Sequence, residues 1–272
     1  MSCLQDKGND VLARSLKAKL AACEPVVGSW MSLGDTGVAE IMASAGFDFL
    51  TIDMEHSAIS VTQAQELIRV VSLCDVCPLV RLTTNDSALI KRVLDAGAAG
   101  VIVPMVNSEA EARAAVAAVK YPPVGQRSVG LARAQGYGTT FDSYFAAANA
   151  DTLVIVQIEH ADAVANAEAI LTVPGVDGFI IGPYDLSASL GIAGQLDHPR
   201  LLEAVDRVQR VARSTGVAAG FHLVRPVPAE LLATLADGFI FVAYSVDFML
   251  LGETCRRDLA VIREGLQGRP PS

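Results

Sequence analysis

Short apolar runs rich in β-branched residues alternate eight times with longer helix-like stretches along this chain. Such alternation is typical of βα units, in which a crossover helix returns the chain to a parallel strand. The predicted strands are 26–31, 47–53, 78–82, 100–103, 153–159, 176–182, 217–221 and 238–243. The predicted helices are 35–45, 62–73, 87–96, 109–119, 161–171, 199–215 and 229–236, followed by one long or broken terminal helix at 245–266.

Glycines stand at the ends of several predicted helices, directly before the next strand. Gly46, Gly97, Gly216 and Gly238 each fit a helix C-terminus that needs a positive φ. Eight such units in 272 residues match the (β/α)8 barrel, which typically needs about 250 residues. We therefore predict an α/β fold, a single (β/α)8 TIM barrel over residues 25–272, preceded by a helical lead-in at 1–24.

One connection is longer than the others. Val103 and Glu159, which end consecutive predicted strands, are 56 residues apart, whereas most other neighbouring strand ends are separated by 22 to 28 residues. The additional length, about 121–150, contains several glycines, arginines and aromatic residues. Because extra length at the C-terminal face of a barrel usually serves substrates or subunit contacts, we expect the same of this extended loop segment.

Charge and composition exclude several classes of function. The net charge of −9 disfavours nucleic acids and anionic membranes as partners, because both need clustered basic side chains. No run of about 18 apolar residues is present, and the polar start carries no apolar leader, so we expect a cytoplasmic protein.

The five cysteines are odd in number and scattered, which is typical of reduced thiols. Cys74 and Cys77 have CxxC spacing, but no second pair completes a zinc site and the pair ends a predicted helix. Incidental thiols are therefore favoured over a redox or metal role.

Polar residues cluster at the C-terminal ends of the predicted strands, where barrel enzymes carry their chemistry. Glu159 and Asp185 end consecutive strands, which lie about 4.8 Å apart in a sheet. Two carboxylates at that spacing suit one hard cation such as Mg²⁺ or Mn²⁺, with water and substrate as further ligands. The structural alternative is that both residues cap helices, since Asp favours that position.

Three further groups at the same rim suit an anionic substrate. Asp53 lies three residues before His56, and its carboxylate can hold one imidazole nitrogen so that the other serves as a base. Arg81 ends an apolar strand and needs an anion, either a structural carboxylate or a substrate oxygen. Residues 182–185 open a short predicted helix whose N–H groups can receive a carboxylate.

These residues resemble the HpcH/HpaI aldolase family, the class II pyruvate aldolases that include 2-keto-3-deoxyglucarate aldolase and 2,4-dihydroxyhept-2-ene-1,7-dioate aldolase. The strings Asp-x-Glu-His and Gly-Pro-x-Asp-Leu-Ser are specific together, and the likeness runs in order from about residue 25 to about 250. The matching pieces are Gly28-Ser29-Trp30, Ala45-Gly46-Phe47-Asp48, Ile52-Asp53-Met54-Glu55-His56, Val80-Arg81, Val103-Pro104-Met105, Tyr121-Pro122-Pro123, Gln157-Ile158-Glu159 and 178–186.

The resemblance implies a divalent metal held by Glu159 and Asp185, with Gln157 beside it. It implies Mg²⁺ first, with Mn²⁺ or Co²⁺ as alternatives. The reaction would be the reversible cleavage of a 4-hydroxy-2-keto acid to pyruvate and an aldehyde through a metal-stabilised enolate. It also implies a homotrimer or homohexamer in which the last helix is exchanged between subunits.

The resemblance further implies a role for each group that meets the substrate. Arg81 would contact the keto oxygen, and His56, paired with Asp53, would act as acid and base. The N–H groups of Gly182 and Tyr184 would receive the pyruvate carboxylate. Tyr184 replaces a residue that is commonly small, and His222 lies where members differ, so the aldehyde stays undetermined.

Three rival interpretations remain at this stage. A Schiff-base aldolase needs a lysine at a strand end, and none of the five lysines suits. A malyl- or citramalyl-CoA lyase-like enzyme needs a basic patch for the CoA phosphates, and the acidic chain shows no obvious one. A non-catalytic binding barrel would lack metal affinity. A nucleotide-dependent oxidoreductase is disfavoured because no GxGxxG follows the first strand.

Overall fold

Eight parallel strands close into one barrel in sequence order in the computed structural model, which describes residues 9–267. Their closure confirms the predicted (β/α)8 fold. The strands are β1 (Val26–Met31), β2 (Phe49–Asp53), β3 (Cys77–Arg81), β4 (Gly100–Val103), β5 (Leu153–Ile158), β6 (Gly178–Ile181), β7 (Ala218–Leu223) and β8 (Phe241–Val246).

Twelve α-helices accompany the strands in the described part of the chain, and several begin at a side-chain cap such as Asp35, Ser60 or Ser108. They are α1 (Asn9–Ala21), α2 (Thr36–Ser44), α3 (Val61–Leu73), α4 (Ser87–Asp95), α5 (Glu109–Val119), α6 (Phe141–Asp151), α7 (Ala161–Ala165), α8 (Ala167–Leu171), α9 (Pro183–Ser189), α10 (Pro199–Thr215), α11 (Pro228–Ala236) and α12 (Asp247–Gln267). None of these helices is long and apolar enough to cross a membrane.

Six of the eight strands differ from the predicted bounds by one to three residues, and two differences from the prediction have a clear local cause. β8 begins at Phe241 instead of residue 238, because Gly238 adopts a left-handed φ of 95° just after α11 ends. The predicted helix 161–171 is broken at Asn166, which ends α7 and precedes α8. The other three glycines that were predicted to follow helices also have positive φ values.

The apolar core forms two layers around the strand wall. The outer layer packs the helices on the barrel, and the inner layer fills the barrel with side chains such as Phe49 and Phe241, whose rings stack at 4.3 Å. Leu12, Leu16 and Leu20 of α1 belong to the inner layer. Because these leucines are buried against the barrel interior, α1 closes the N-terminal end of the barrel and leaves the C-terminal end for chemistry.

The extended segment 121–150 lies at the N-terminal end of the barrel, which corrects the expectation that it serves the C-terminal face. It contains a 3-10 helix, Arg133–Gly138, and most of α6. Arg127 is buried, pairs with Asp95 at 2.7 Å, and stacks 4.6 Å from the ring centre of Tyr121. The physical reason is topological: the segment joins the end of a helix to the start of β5, and such connections lie opposite the catalytic face.

Candidate active site

The C-terminal ends of three strands bring four of the predicted polar residues into one mouth. Asp53 ends β2, Arg81 ends β3, Gln157 lies in β5 and Glu159 follows it. All four side chains are buried, with Glu159 only 2% exposed. A buried set of this kind needs internal partners or a bound ion, because isolated charges are costly away from water.

Glu159 is held at the centre of this mouth. One carboxylate oxygen accepts a hydrogen bond from the Met105 N–H at 2.8 Å, and the other accepts from the Gln157 amide. Burial raises the pKa of Glu159 to about 7; the Met105 bond opposes this, and the charges of Glu55 and Asp185 add to it. The metal-free site therefore resists placing negative charge on Glu159.

Gly182 makes the close approach to Glu159 possible. A Cβ at this position would lie 2.7 Å from Oε2 of Glu159 and 3.0 Å from Nε2 of Gln157. Both distances are shorter than ordinary contacts, so a side chain at residue 182 would displace the carboxylate. Glycine is therefore required at residue 182 because no other side chain would fit beside Glu159 and Gln157.

Asp185 lies in the first turn of α9. The alternative interpretation, that Asp185 and Glu159 are N-caps of helices, is wrong. The N-cap of α9 is Gly182, and the N-cap of α7 is His160, whose ring accepts from the Asp162 N–H. The charge of Asp185 raises the pKa of both Glu159 and Glu55. The three carboxylates are therefore near enough to repel one another.

The donor set fits a hard divalent cation. It consists of oxygen ligands: a carboxylate whose pKa is raised first by burial and further by neighbouring negative charge, and a buried Gln157 carbonyl oxygen without a hydrogen-bond partner among the described residues. Within residues 9–267, no group of three or more His, Cys, Asp or Glu is arranged as a complete metal site. Two carboxylates suffice for such an ion when substrate and water supply the remaining ligands.

Asp53 binds Arg81, which corrects the predicted pairing of Asp53 with the His56 ring. Nε and Nη2 of Arg81 donate to the Asp53 carboxylate at 2.9 and 2.8 Å. Burial alone would raise the pKa of Asp53, but the hydrogen bonds and charge of Arg81 lower it below its ordinary value. Asp53 also accepts from the backbone N–H of His56 at 3.3 Å. The Asp53 carboxylate thus forms its ion pair with the buried Arg81 and not with the His56 ring.

The His56 ring projects from the rim and is 63% exposed. Its nearest charged partner is Glu55, with Nε2 3.8 Å from the carboxylate oxygen Oε2. That oxygen also lies 3.1 Å from Nη1 of Arg81. Burial raises the pKa of Glu55, although the charges of Arg81 and His56 oppose the shift.

Glu55 is the site residue that sequence reasoning missed. It lies within the Asp-x-Glu-His string, but the sequence does not indicate whether the Glu55 side chain points into the mouth or away from it. The structure brings it against Arg81, so that one guanidinium meets two carboxylates.

Trp30 and His222 form the opposite wall of the mouth. The guanidinium carbon of Arg81 lies 4.1 Å from the Trp30 ring centre, and the His222 ring stacks on Trp30 at 4.8 Å. Trp30 is 1% exposed, and its indole N–H has no hydrogen-bond partner among the described residues. The Trp30 ring therefore contacts both the Arg81 guanidinium and the His222 ring.

The start of α9 supplies fewer free N–H groups than the string 182–185 suggests. Pro183 has no N–H, and the Gly182 N–H lies 3.4 Å from the Ile158 carbonyl oxygen, which is a long hydrogen bond. The Tyr184 side chain is 46% exposed at the edge of the mouth. Gly182 thus lies beside Glu159 with a weakly engaged backbone donor.

The lysine with the most perturbed titration lies outside the mouth. Burial lowers the pKa of Lys120 to about 8, and its ammonium group donates to the Thr152 carbonyl oxygen. Thr152 directly precedes β5, so Lys120 is at the N-terminal end of the barrel. A Schiff base at Lys120 would form at the end opposite the carboxylates.

The cysteines that the structure describes show no activated thiol. Cys23, Cys74, Cys77 and Cys255 are free, and Cys3 lies outside the described residues. Burial raises the pKa of the Cys77 thiol, which disfavours the reactive thiolate.

Comparison with known proteins identifies relatives over nearly the whole chain. The family model HpcH/HpaI aldolase/citrate lyase matches residues 27–253. A protein named 2-keto-3-deoxy-L-rhamnonate aldolase, from Klebsiella pneumoniae, is 38% identical over 257 residues, which cover 94% of this chain and 95% of the relative.

Solved structures show the same fold at similar coverage. A family protein from Burkholderia cenocepacia superposes with a TM-score of 0.88 at 35% identity, covering 92% of this chain and 99% of that one. The structure of citrate synthase SbnG superposes with a TM-score of 0.83 at 28% identity, covering 93% and 98% of the two chains. Relatives with this barrel therefore carry different names for their reactions.

Proposed function

The chain belongs to the HpcH/HpaI aldolase/citrate lyase family and is a class II aldolase, and we propose that Glu159 and Asp185 hold its divalent metal ion. It reversibly cleaves a 4-hydroxy-2-keto acid to pyruvate and an aldehyde. The observation that supports the site is the buried Glu159, whose pKa is raised to about 7 beside two further carboxylates. A cation relieves that repulsion, and Arg81 lies at the same mouth for the substrate oxygen.

Each group of the mouth has a place in the proposed reaction. A divalent ion bound there supplies a Lewis acid for the keto-acid oxygens. Arg81 donates a hydrogen bond to the C2 oxygen, whose negative charge grows as the carbon–carbon bond breaks, so this contact stabilises the transition state more than the ground state. Asp53 and Glu55 fix the guanidinium in position. The N–H groups of Gly182 and Tyr184 receive the carboxylate.

His56 is the proposed acid and base for the 4-hydroxyl proton. Its ring is exposed at the rim, where the aldehyde half of the substrate enters and leaves. Glu55 and not Asp53 is the carboxylate near its ring, so Glu55 orients the imidazole in this proposal.

The substrate class follows from the curated relatives. A 2-keto-3-deoxy sugar acid is a 4-hydroxy-2-keto acid, and the relative at 38% identity is named for such a compound. We propose this class for the chain, with Mg²⁺ as the metal and Mn²⁺ or Co²⁺ as alternatives, because oxygen ligands suit hard cations.

Removal of the metal tests this function directly. Dialysis against EDTA is expected to abolish pyruvate release from a 2-keto-3-deoxy sugar acid, and addition of Mg²⁺, Mn²⁺ or Co²⁺ is expected to restore it. Pyruvate release is measured with a coupled lactate dehydrogenase assay, and a mock-dialysed sample serves as the control. Full activity after EDTA treatment, with metal content below stoichiometry by mass spectrometry, would contradict the proposal.

We propose that the enzyme is a homotrimer or homohexamer in which α12 packs on a neighbouring subunit. Within the described residues, α12 is almost entirely exposed from Leu251 onward. Leu251, Cys255, Leu259, Ile262 and Leu266 recur at helical spacing and form one apolar stripe. A monomer would leave this stripe in water, whereas a second copy of the chain would bury it.

Mutation of the stripe is expected to change the oligomeric state. Leu259→Asp together with Ile262→Asp should dissociate the assembly, because two charges would be buried in an apolar interface. Arg257→Asp, on the opposite side of the helix, is the control and should leave the mass unchanged. Light scattering coupled to size-exclusion chromatography measures the outcome. A wild-type mass equal to that of one 28.5 kDa chain would refute the proposal.

A further inference from the structure

His222 is a half-buried ring at the mouth to which the proposed reaction assigns no role. It lies on β7 one residue beyond Phe221, the register partner of Ile181, and is therefore level with Gly182. Its ring stacks on Trp30, whose centre lies 4.1 Å from the Arg81 guanidinium carbon. His222 and Arg81 thus both lie against the Trp30 ring.

An irregularity of β8 fixes the ring of His222. The pairing of β1 with β8 shifts register between Gly28 and Trp30, and Ser245 has a φ of 59° in the left-handed region. The Ser245 carbonyl oxygen lies 3.4 Å from Nε2 of His222. Strain beside a site is often retained because it aims a particular group.

The carbonyl determines which imidazole nitrogen can accept. A carbonyl oxygen only accepts hydrogen bonds, so Nε2 carries the proton that it donates to Ser245, and the neutral ring then presents Nδ1 as an acceptor. Burial and the charge of Arg81 lower the pKa of His222 to about 4, which keeps the ring neutral near pH 7. Among the described residues, no donor is hydrogen-bonded to Nδ1.

The wall formed by Trp30 and His222 faces the part of the substrate that the other strands do not contact. In the proposed function, Arg81 and the metal ion that Glu159 and Asp185 would hold take the oxygen atoms of the keto acid. The carbon chain beyond C2 then faces the remaining wall, where Trp30 is apolar and His222 carries a hydrogen-bond acceptor.

We propose that His222 is a specificity-determining residue that accepts, through Nδ1, a hydrogen bond from a hydroxyl group on the substrate carbon chain beyond C2. The inference rests on the proposed function and deepens it, because it assigns recognition of a hydroxylated substrate to one side chain. The hydroxyl can belong to the keto-acid donor or to the aldehyde, and the experiment distinguishes these two sources.

Three condensation reactions with the metal-loaded enzyme, arranged as two pairs that share pyruvate plus acetaldehyde, test the proposal. The donor pair is pyruvate and hydroxypyruvate with acetaldehyde, and the acceptor pair is acetaldehyde and glycolaldehyde with pyruvate. His222→Phe retains a ring against Trp30 but has no acceptor, whereas His222→Gln retains both a donor for Ser245 and an acceptor. Thermal unfolding checks that both variants fold, and His222→Leu replaces His222→Phe if that variant does not.

The wild type is expected to prefer the hydroxylated member of one pair. The phenylalanine variant should lower that ratio of kcat/KM values roughly three- to tenfold, as for loss of one hydrogen bond, and the glutamine variant should largely retain it. The affected pair identifies the source of the hydroxyl.

A ratio unchanged in the phenylalanine variant, or lost equally in both variants, would overturn the inference while leaving the aldolase function intact. No turnover of any pair by the metal-loaded wild type would overturn the proposed function and this inference with it.

Discussion

Replacement of Glu159 by glutamine is expected to lower kcat/KM by at least about 10³-fold, because it removes one of two anionic ligands of the proposed metal. The amide preserves the shape of the side chain and can still accept from the Met105 N–H. Binding of Mn²⁺, measured by calorimetry or by paramagnetic resonance, should weaken in parallel. Glu168→Gln, at an exposed glutamate on α8, is the matched control and should change neither quantity.

The stability of the Glu159→Gln variant is expected to change in the opposite sense from its activity. Burial already raises the pKa of Glu159 to about 7, so the metal-free protein bears a cost for the charged form. A neutral amide removes that cost, and the metal-free variant should unfold at or above the temperature of the metal-free wild type at pH 8. Unimpaired Mn²⁺ binding by a folded variant would refute the assignment of Glu159 as a ligand.

Replacement of Arg81 by alanine is expected to impair both catalysis and folding. Transition-state stabilisation should fall by about 3–4 kcal/mol, which is the order for loss of a donor at a developing oxyanion. The free energy of unfolding should fall by a further, independent amount of about 3–5 kcal/mol, because the buried Asp53 would lose its cationic partner. Glu55 would also lose its nearest guanidinium.

A second substitution separates these two effects. In the double variant Arg81→Ala with Asp53→Asn, the unpaired buried charge is removed, so part of the lost stability should return while activity stays low. Urea unfolding and pyruvate release measure the two quantities. Arg69→Ala, at an exposed ion pair with Glu66, is the control and should cost about 0–1 kcal/mol. Wild-type turnover in the single variant would remove Arg81 from the reaction.

The strand pattern predicted the barrel because each β run is short, apolar and followed by a helix, and these are local properties of the chain. The glycine positions predicted helix ends for the same reason, as the φ of 90° at Gly46 shows. Gathering Glu159 and Arg81 at one rim followed from the parallel topology alone. Boundaries were less accurate where a connecting segment and a strand have similar composition, as at Gly238 and Phe241.

Partner choice inside the mouth was not predictable from spacing. Asp53 is three residues from His56 in sequence, yet it binds Arg81 on the neighbouring strand, because β2 and β3 pair these two residues directly in register. The role of Glu55 as a second carboxylate on the same guanidinium also depends on side-chain direction. Such contacts arise between strands, and a linear motif carries no information about them.

The helix that closes the N-terminal end of the barrel separates two tasks of the molecule. Arg14, Lys17 and Lys19 of α1 pair with Asp151, Asp177 and Asp48 beneath the strands. These contacts lie at the pole opposite Glu159 and Arg81. A fusion partner or a tether to a solid support that is joined ahead of α1 would therefore be attached at the pole opposite the catalytic entrance. Substrates would keep free access to that entrance.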